Sequence, residues 1–225
     1  MLIRYTRRIV LKEKKTPLGY YNYTVILTYL GMALAFCGIL QAIGQNFWTS
    51  LVCLMLSGLC DMFDGAVAAT KERDVSEKRF GIQIDSLSDL ISFGVLPAVF
   101  VYMLSDKNFY VGIVATLYVL CALIRLAYFN VLEEERQAVT TESRKSYLGL
   151  PVTSIALLLP AVYLFYDFTA LKGKLGFTVL LILVAAGFVS TVEIKKPKII
   201  GKIVLLLVGV MEALALVFFV GWGAV

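Results

Sequence analysis

Residues 47–69 read FWTSLVCLMLSGLCDMFDGAVAA, an apolar run that ends with two aspartates, Asp61 and Asp64. At 1.5 Å per residue the run is long enough to cross a hydrocarbon layer of about 30 Å, so it is a membrane-helix candidate. A second such run, residues 82–104, begins with the mirror-image feature: Asp85 and Asp89 lie just inside its first turns. An ionised carboxylate at bilayer depth costs roughly 2.5 kcal/mol or more, so four of them at the adjoining ends of two spans need a reason.

The same pattern continues outward. Runs near 23–43, 47–69, 82–104, 109–131, 149–167, 174–192 and 201–222 are each apolar enough to span, the fifth and sixth being the shortest. The chain as a whole is 60% hydrophobic and only 16% charged, whereas a soluble domain is about one-quarter charged. The expectation is an all-α, polytopic membrane helix bundle of about seven transmembrane helices. It comprises a basic tail, 1–22, and a single transmembrane domain, 23–225.

Charge placement sets the orientation. The tail (Arg4 to Lys15), the second-to-third connection (Lys71, Arg73, Lys78, Arg79), the fourth-to-fifth (Arg136, Arg144, Lys145) and the sixth-to-seventh (Lys195, Lys196, Lys198, Lys202) together hold 17 cations. The opposite loops hold 3, Lys107, Lys172 and Lys174, and Arg125 is left inside a span. By the positive-inside rule the N-terminus is cytoplasmic and the C-terminus is outside. The net charge of +5 is therefore a topology signal and not a nucleic-acid footprint. The tail has no separate apolar core with a cleavage site, so the first span is expected to act as an uncleaved anchor. The tail itself is either a short amphipathic helix on anionic headgroups or a plain solvated segment. The polar stretch Glu133–Tyr147 is expected to begin as a helical extension of the fourth span.

The chain contains no histidine, which excludes a Ser-His-Asp triad, a His-based zinc site and a histidine proton shuttle. Cys37, Cys53, Cys60 and Cys121 lie in apolar stretches without CxxC spacing and read as buried free thiols. Helical spacing places Ser57, Gly58, Asp61, Asp64, Gly65 and Ala68 on one face of the second span. It places Gly81, Asp85, Ser88, Asp89 and Ser92 on one face of the third. Both faces are small or acidic, and small residues allow close helix approach, which would bring the acidic pairs together. Clustered carboxylates need cations or shared protons, and oxygen ligands suit hard divalent metals such as Mg²⁺ or Mn²⁺. A structural pairing with Arg125 is the bland alternative. Divalent ions at headgroup depth suit phosphoryl transfer on a lipid.

Asp61-Met-Phe-Asp64-Gly65-Ala-Val-Ala68, followed by Gly81-Ile-Gln-Ile-Asp85-Ser-Leu-Ser-Asp89, resembles the signature of the CDP-alcohol phosphotransferase family, DxxDGxxAR, a spacer, then GxxxDxxxD. General resemblance covers roughly residues 20 to 165. It implies a CDP-linked lipid donor with CMP leaving, and two divalent cations bound by Asp61, Asp64 and Asp85. Asp89 would stand near the metals and serve as general base. Asp64, Gly65, Ala68 and Gly81 would form the nucleotide site, the small residues admitting cytidine to the helix backbones; ordinary helix packing explains the small residues equally. The pattern's arginine is replaced by Ala69 and the spacer is 12 residues instead of the usual 9. Lys71, Lys78 and Arg79 are then candidates for the missing phosphate contact, or simply loop charges.

Arg125-Leu-Ala-Tyr-Phe-Asn130, Tyr147-Leu-Gly-Leu-Pro151 and DSLSDLISFGVLP within 82–97 are similar to segments of the phosphatidylserine synthases of this family, which usually read close to RLARFN and GLP. That implies CDP-diacylglycerol and L-serine as substrates, membrane lipids as surroundings, a homodimer, and an active site facing the cytoplasm of a cell membrane. Arg125 would meet the serine carboxylate or the transferred phosphate, with Asn130 lining or bracing the cavity. Asn22 and Thr24 stand where the family often has an Asn and a Thr near the donor phosphates, and read equally as helix caps. Other acceptors with the same chemistry are glycerol 3-phosphate, inositol phosphate or choline; a single buried arginine favours a lightly charged one. A transporter would more often show an inverted repeat and acids at midplane. Glu212, in the seventh span, either faces the bundle or marks a dimer contact.

Overall fold

The computed structural model describes residues 19–139, 146–165, 174–195 and 199–221. The basic tail up to residue 18, with its choice between amphipathic helix and solvated segment, lies outside the described residues, as do Arg144, Lys145, Lys172, Lys196 and Lys198.

Helices dominate. A 3₁₀ turn, Tyr23–Val25, leads into α1 (Ile26–Ile43). Then come α2 (Phe47–Ala68), α3 (Val75–Asp89), a π-helical turn (Leu90–Val95) and α4 (Leu96–Leu104), the last three forming one continuous apolar helix. After these follow α5 (Phe109–Val139), β1 (Ser146–Leu148), α6 (Ile155–Leu164), α7 (Leu175–Phe188), β2 (Glu193–Lys195) and α8 (Ile199–Gly221). Among the described residues, five helical segments are long and apolar enough to cross a membrane: Tyr23–Ile43, Phe47–Ala68, Val75–Leu104, Phe109–Arg136 and Ile200–Phe218. The expected fifth and sixth spans coincide with the shorter apolar helices Val152–Leu164 and Leu175–Phe188. The extension of the fourth span past Glu133 is present, since α5 continues to Val139.

α1 packs closely against α2 and α4 because of its small residues. Thr28, Gly31, Ala35, Gly38 and Ala42 recur every three or four positions and form its buried stripe. A β-carbon on Gly31 would stand 3.2 Å from Cys60 Cβ, and one on Gly38 would stand 3.0 Å from both Cys53 Cβ and a Leu96 methyl. Backbones approach that closely only where side chains are missing, and van der Waals packing is what joins helices in lipid. The opposite side of α1 carries the exposed Ile26, Leu30, Phe36, Leu40 and Ile43, a surface suited to lipid tails.

Here the helix-pairing expectation needs correction. α2 and α3 make almost no close backbone contact with each other; α1 packs against both. Gly58, expected to let α3 approach, instead admits α6: its missing β-carbon would lie 2.9 Å from Ala156 Cβ. The small residues do bring helices together, but the partners are α1 and α6, leaving the backbones of α2 and α3 apart at their acid-bearing ends.

The start of the third span is also earlier than expected, at Val75 instead of 82. Asp74 caps the helix, its carboxylate accepting from the Glu77 backbone N–H at 2.7 Å, and Glu77 occupies the third helical position of a capping-box pattern. Lys78 and Arg79 are therefore exposed helix residues and not loop charges. Farther along, Pro97 has no N–H to offer the Phe93 carbonyl one turn back. The hydroxyl of fully buried Tyr118, on α5, donates to that carbonyl at 2.6 Å. The π turn just precedes this point and shifts the phase of α4 relative to the acidic face of α3.

β1 and β2 pair antiparallel, with Tyr147 opposite Ile194, and clasp the segments before α6 and after α7. Gly149, at φ 73°, turns the chain there, its N–H donating to the Val192 carbonyl; a β-carbon would meet the Phe188 carbonyl oxygen at 2.8 Å.

Candidate active site

The carboxylates of Asp61, Asp64 and Asp85 each place an oxygen within 4.8 Å of the others. Asp61 and Asp64 are one turn apart near the end of α2, and Asp85 and Asp89 are one turn apart near the end of α3. Across the gap the Asp61 carboxyl stands within hydrogen-bonding reach of Asp89, and Asp64 of Asp85. Two carboxyls touch in this way only if a proton or a cation lies between them. The nearby cations are few. Arg125 of α5 and Lys202 of α8 are close enough for their charges to act on Asp61.

Oxygen atoms that ligate one Mg²⁺ at about 2.1 Å lie no more than about 4.2 Å apart, so three carboxylates within 4.8 Å need little adjustment to share hard divalent ions. The donor set, all carboxylate with no thiol or imidazole among these three groups, fits Mg²⁺ or Mn²⁺.

Neighbouring side chains fix the ligands. Thr28 Oγ1 donates to Asp64 Oδ2 at 3.1 Å, and Ser88 Oγ donates to the Thr28 carbonyl at 3.3 Å, tying α1 to both acidic helices. Ser86, next to Asp85, donates to Asn130 Oδ1 at 2.7 Å. Asn130 Nδ2 reaches Gln83 Oε1 at 3.5 Å. Asn130 thus holds α5 against α3 beside the acids. Arg125 lies one turn before Phe129, its guanidinium carbon 6.0 Å from that ring's centre, and lines a cavity with Tyr128, Leu148, Phe188, Ser190 and Thr191.

The remaining expected site residues are placed as follows. Gly65 is exposed and has no atom within 4 Å of where a β-carbon would be, and Ala68 lies one turn on, half-buried. Gly81, across the gap on α3, meets only Arg73 Nη1, at 2.9 Å. The Gly65 surface of α2 therefore faces open space beside the acids, while the Gly81 surface of α3 is approached by the Arg73 guanidinium. Asn22 caps the first turn, accepting from the Thr24 N–H at 3.1 Å and from the Thr24 hydroxyl, and its amide donates to Glu77 at 3.3 Å. Lys71 pairs with the same Glu77 at 3.3 Å. Asn22 and Lys71 are thus brought to Glu77, and Thr24 is held by Asn22. Lys78 and Arg79 are exposed on α3.

Sequence reasoning missed Thr28, Lys202 and Arg73. Thr28 carried a signal, since it opens the Gly31-Ala35-Gly38 stripe; Lys202 and Arg73 read only as flanking charges. Glu212 is half-buried in α8, and its Oε2 has no hydrogen-bond partner among the described residues; nothing in the structure explains it.

Comparison with known proteins gives an independent result. A family model described as CDP-alcohol phosphatidyltransferase matches residues 21–222. The chain is 32% identical to the archaetidylserine synthase of Methanothermobacter thermautotrophicus over 75% of this chain and 67% of that protein. It is 33% identical to the CDP-diacylglycerol–serine O-phosphatidyltransferase of Methanocaldococcus jannaschii, over 85% and 83% of the two chains. It is 32% identical to the Helicobacter pylori protein of the same name, over 87% and 79%.

Proposed function

The chain belongs to the CDP-alcohol phosphatidyltransferase family, and from that premise we propose that it transfers the phosphatidyl group of CDP-diacylglycerol to L-serine, giving phosphatidylserine and CMP. One observation carries the reading: three carboxylates within 4.8 Å of one another, with Asp89 beside Asp61, lie next to the open surface of Gly65 at the adjoining ends of two apolar helices. The relatives' names favour serine over glycerol 3-phosphate, inositol phosphate or choline, because each of the three names serine or a serine lipid.

In the proposed reaction the serine Oγ forms a bond to the lipid-side phosphorus of the donor. The bond from that phosphorus to the bridging diphosphate oxygen breaks, and CMP leaves with its electron pair. The serine hydroxyl proton passes to Asp89. Asp61, Asp64 and Asp85 hold the divalent ions, with Asp89 beside them; when bound, Mg²⁺ or Mn²⁺ supplies neutralisation of the diphosphate and of charge on the leaving oxygen. Gly65 and Ala68 leave room for the nucleotide against the α2 backbone, and Gly81 leaves room on α3 for the Arg73 guanidinium that faces it. Arg125 meets the serine carboxylate or the transferred phosphate, and Asn130 braces that wall. Asn22, Thr24, Lys71, Lys78 and Arg79 line the approach of the donor headgroup.

The same proposal includes seven membrane-embedded segments, a cytoplasmic N-terminus, a cytoplasm-facing site in the cell membrane, a single catalytic domain over 23–225, and a homodimer. The supports are positive-inside charge bias and family resemblance. Incubation of the purified chain with CDP-diacylglycerol and labelled serine should give labelled phosphatidylserine and CMP in equal amounts. Label in lipid from glycerol 3-phosphate but not from serine would overturn the acceptor.

A further inference from the structure

The signature pattern that this chain resembles has an arginine where Ala69 stands. A different arginine occupies the region. Arg73, in the connection between α2 and α3, turns its guanidinium onto the α3 backbone: Nη1 lies 2.9 Å from the place a β-carbon on Gly81 would take. The residue is half-buried, and its Nε is shielded and has no acceptor. Among the described residues no hydrogen bond or ion pair holds the side chain.

Carboxylates are not lacking nearby. Glu72 and Asp74 adjoin it in the chain, Asp74 caps α3, and Glu77 receives Lys71 and Asn22. A guanidinium edge removed from water without an acceptor costs free energy, so the position favours an incoming anion. Gly81 precedes Asp85 by one helical turn, about 6 Å along the axis. Gly65 faces open space on the other helix. A diphosphate resting on the acids would present its nucleotide end to this gap, and the planar guanidinium fork matches phosphate oxygens.

We propose that Arg73 is a donor-binding residue that contacts the CMP portion of the nucleotide-linked lipid, replacing the arginine absent at position 69. The inference rests on the CDP-linked donor of the preceding reading but not on serine as acceptor. The longer spacer then has a use, since it lets the connection fold back far enough to present Arg73.

The test uses the full-length chain in detergent, with CMP as the probe, read both as thermal stabilisation by CMP with Mg²⁺ and as inhibition of transfer. Arg73→Gln should weaken CMP binding about 10- to 100-fold, the range for losing a hydrogen bond to a charged group. The KM for CDP-diacylglycerol should rise in parallel, while the KM for serine stays unchanged. Ala69→Arg, made at an exposed position in the same variant, should recover most of the CMP affinity. Where Arg73→Gln fails to fold, Arg73→Lys should show an intermediate loss. CMP binding by a folded Arg73→Gln or Arg73→Lys protein equal to that of the unaltered chain would overturn the proposal. So would a defect confined to the serine KM, or no recovery by Ala69→Arg. An unaltered chain that binds CMP yet never consumes serine would instead sink the acceptor assignment and leave Arg73's role standing.

Discussion

Asp89 is separated from the other three aspartates by position: Asp61, Asp64 and Asp85 converge on one another, while Asp89 lies deeper along α3 and meets Asp61. On the proposed reading Asp89→Asn keeps the shape and removes the base, so kcat should fall about 10²- to 10⁴-fold. Thr28 acts differently. Its hydroxyl orients Asp64 without touching substrate, and Thr28→Val should raise the Mg²⁺ concentration for half-maximal activity about 10-fold or more, with kcat at saturating metal much less affected. A metal titration of the two variants separates these roles. The four acids were legible in the sequence because charge inside an apolar run has few explanations. Thr28 and Arg73 were not, since a threonine in a helix and an arginine in a loop have many.

At the scale of elements, small residues decide which helices meet. Gly38→Leu would force a side chain into Cys53 and Leu96, where even a β-carbon stands at 3.0 Å. It should cost about 1–3 kcal/mol, the range for overpacking, seen as a lower thermal midpoint in detergent. Tyr118→Phe removes the hydroxyl that donates to the buried Phe93 carbonyl, whose i+4 helical donor is missing because of Pro97. The cost should again be about 1–3 kcal/mol, with the metal requirement unchanged. The face composition of α2 and α3 was readable, but their mutual packing was not. Periodicity says which residues share a face, and it does not say which helix covers that face. The early start of α3 could have been read from Asp74 and Glu77, whose capping pattern extends the helix beyond its apolar portion.

For the whole molecule, the apolar runs identified a multi-pass membrane protein, and five of them form helices long enough to span. The other two were harder to bound, because Val152–Leu164 and Leu175–Phe188 are short. The β1–β2 clasp left no sequence trace, since three-residue strands carry too little alternation. The proposed orientation predicts that a single cysteine replacing exposed Asn108, in a chain freed of its four native cysteines, reacts with an impermeant thiol reagent from outside intact cells. A cysteine at Glu72 should react only after permeabilisation. The reverse labelling would invert the orientation.

The central claim is that one carboxylate cluster, loaded with divalent ions, carries phosphatidyl transfer to serine. Its most direct measurement is incorporation of labelled serine into lipid by the purified chain with CDP-diacylglycerol, across a titration of Mg²⁺ or Mn²⁺ after chelation, for the unaltered protein and for Asp61→Asn. No incorporation is expected without a divalent ion, restoration on adding one, and no restoration at any tested concentration in Asp61→Asn. Undiminished incorporation in chelator, or an Asp61→Asn chain as active as the original, would contradict it.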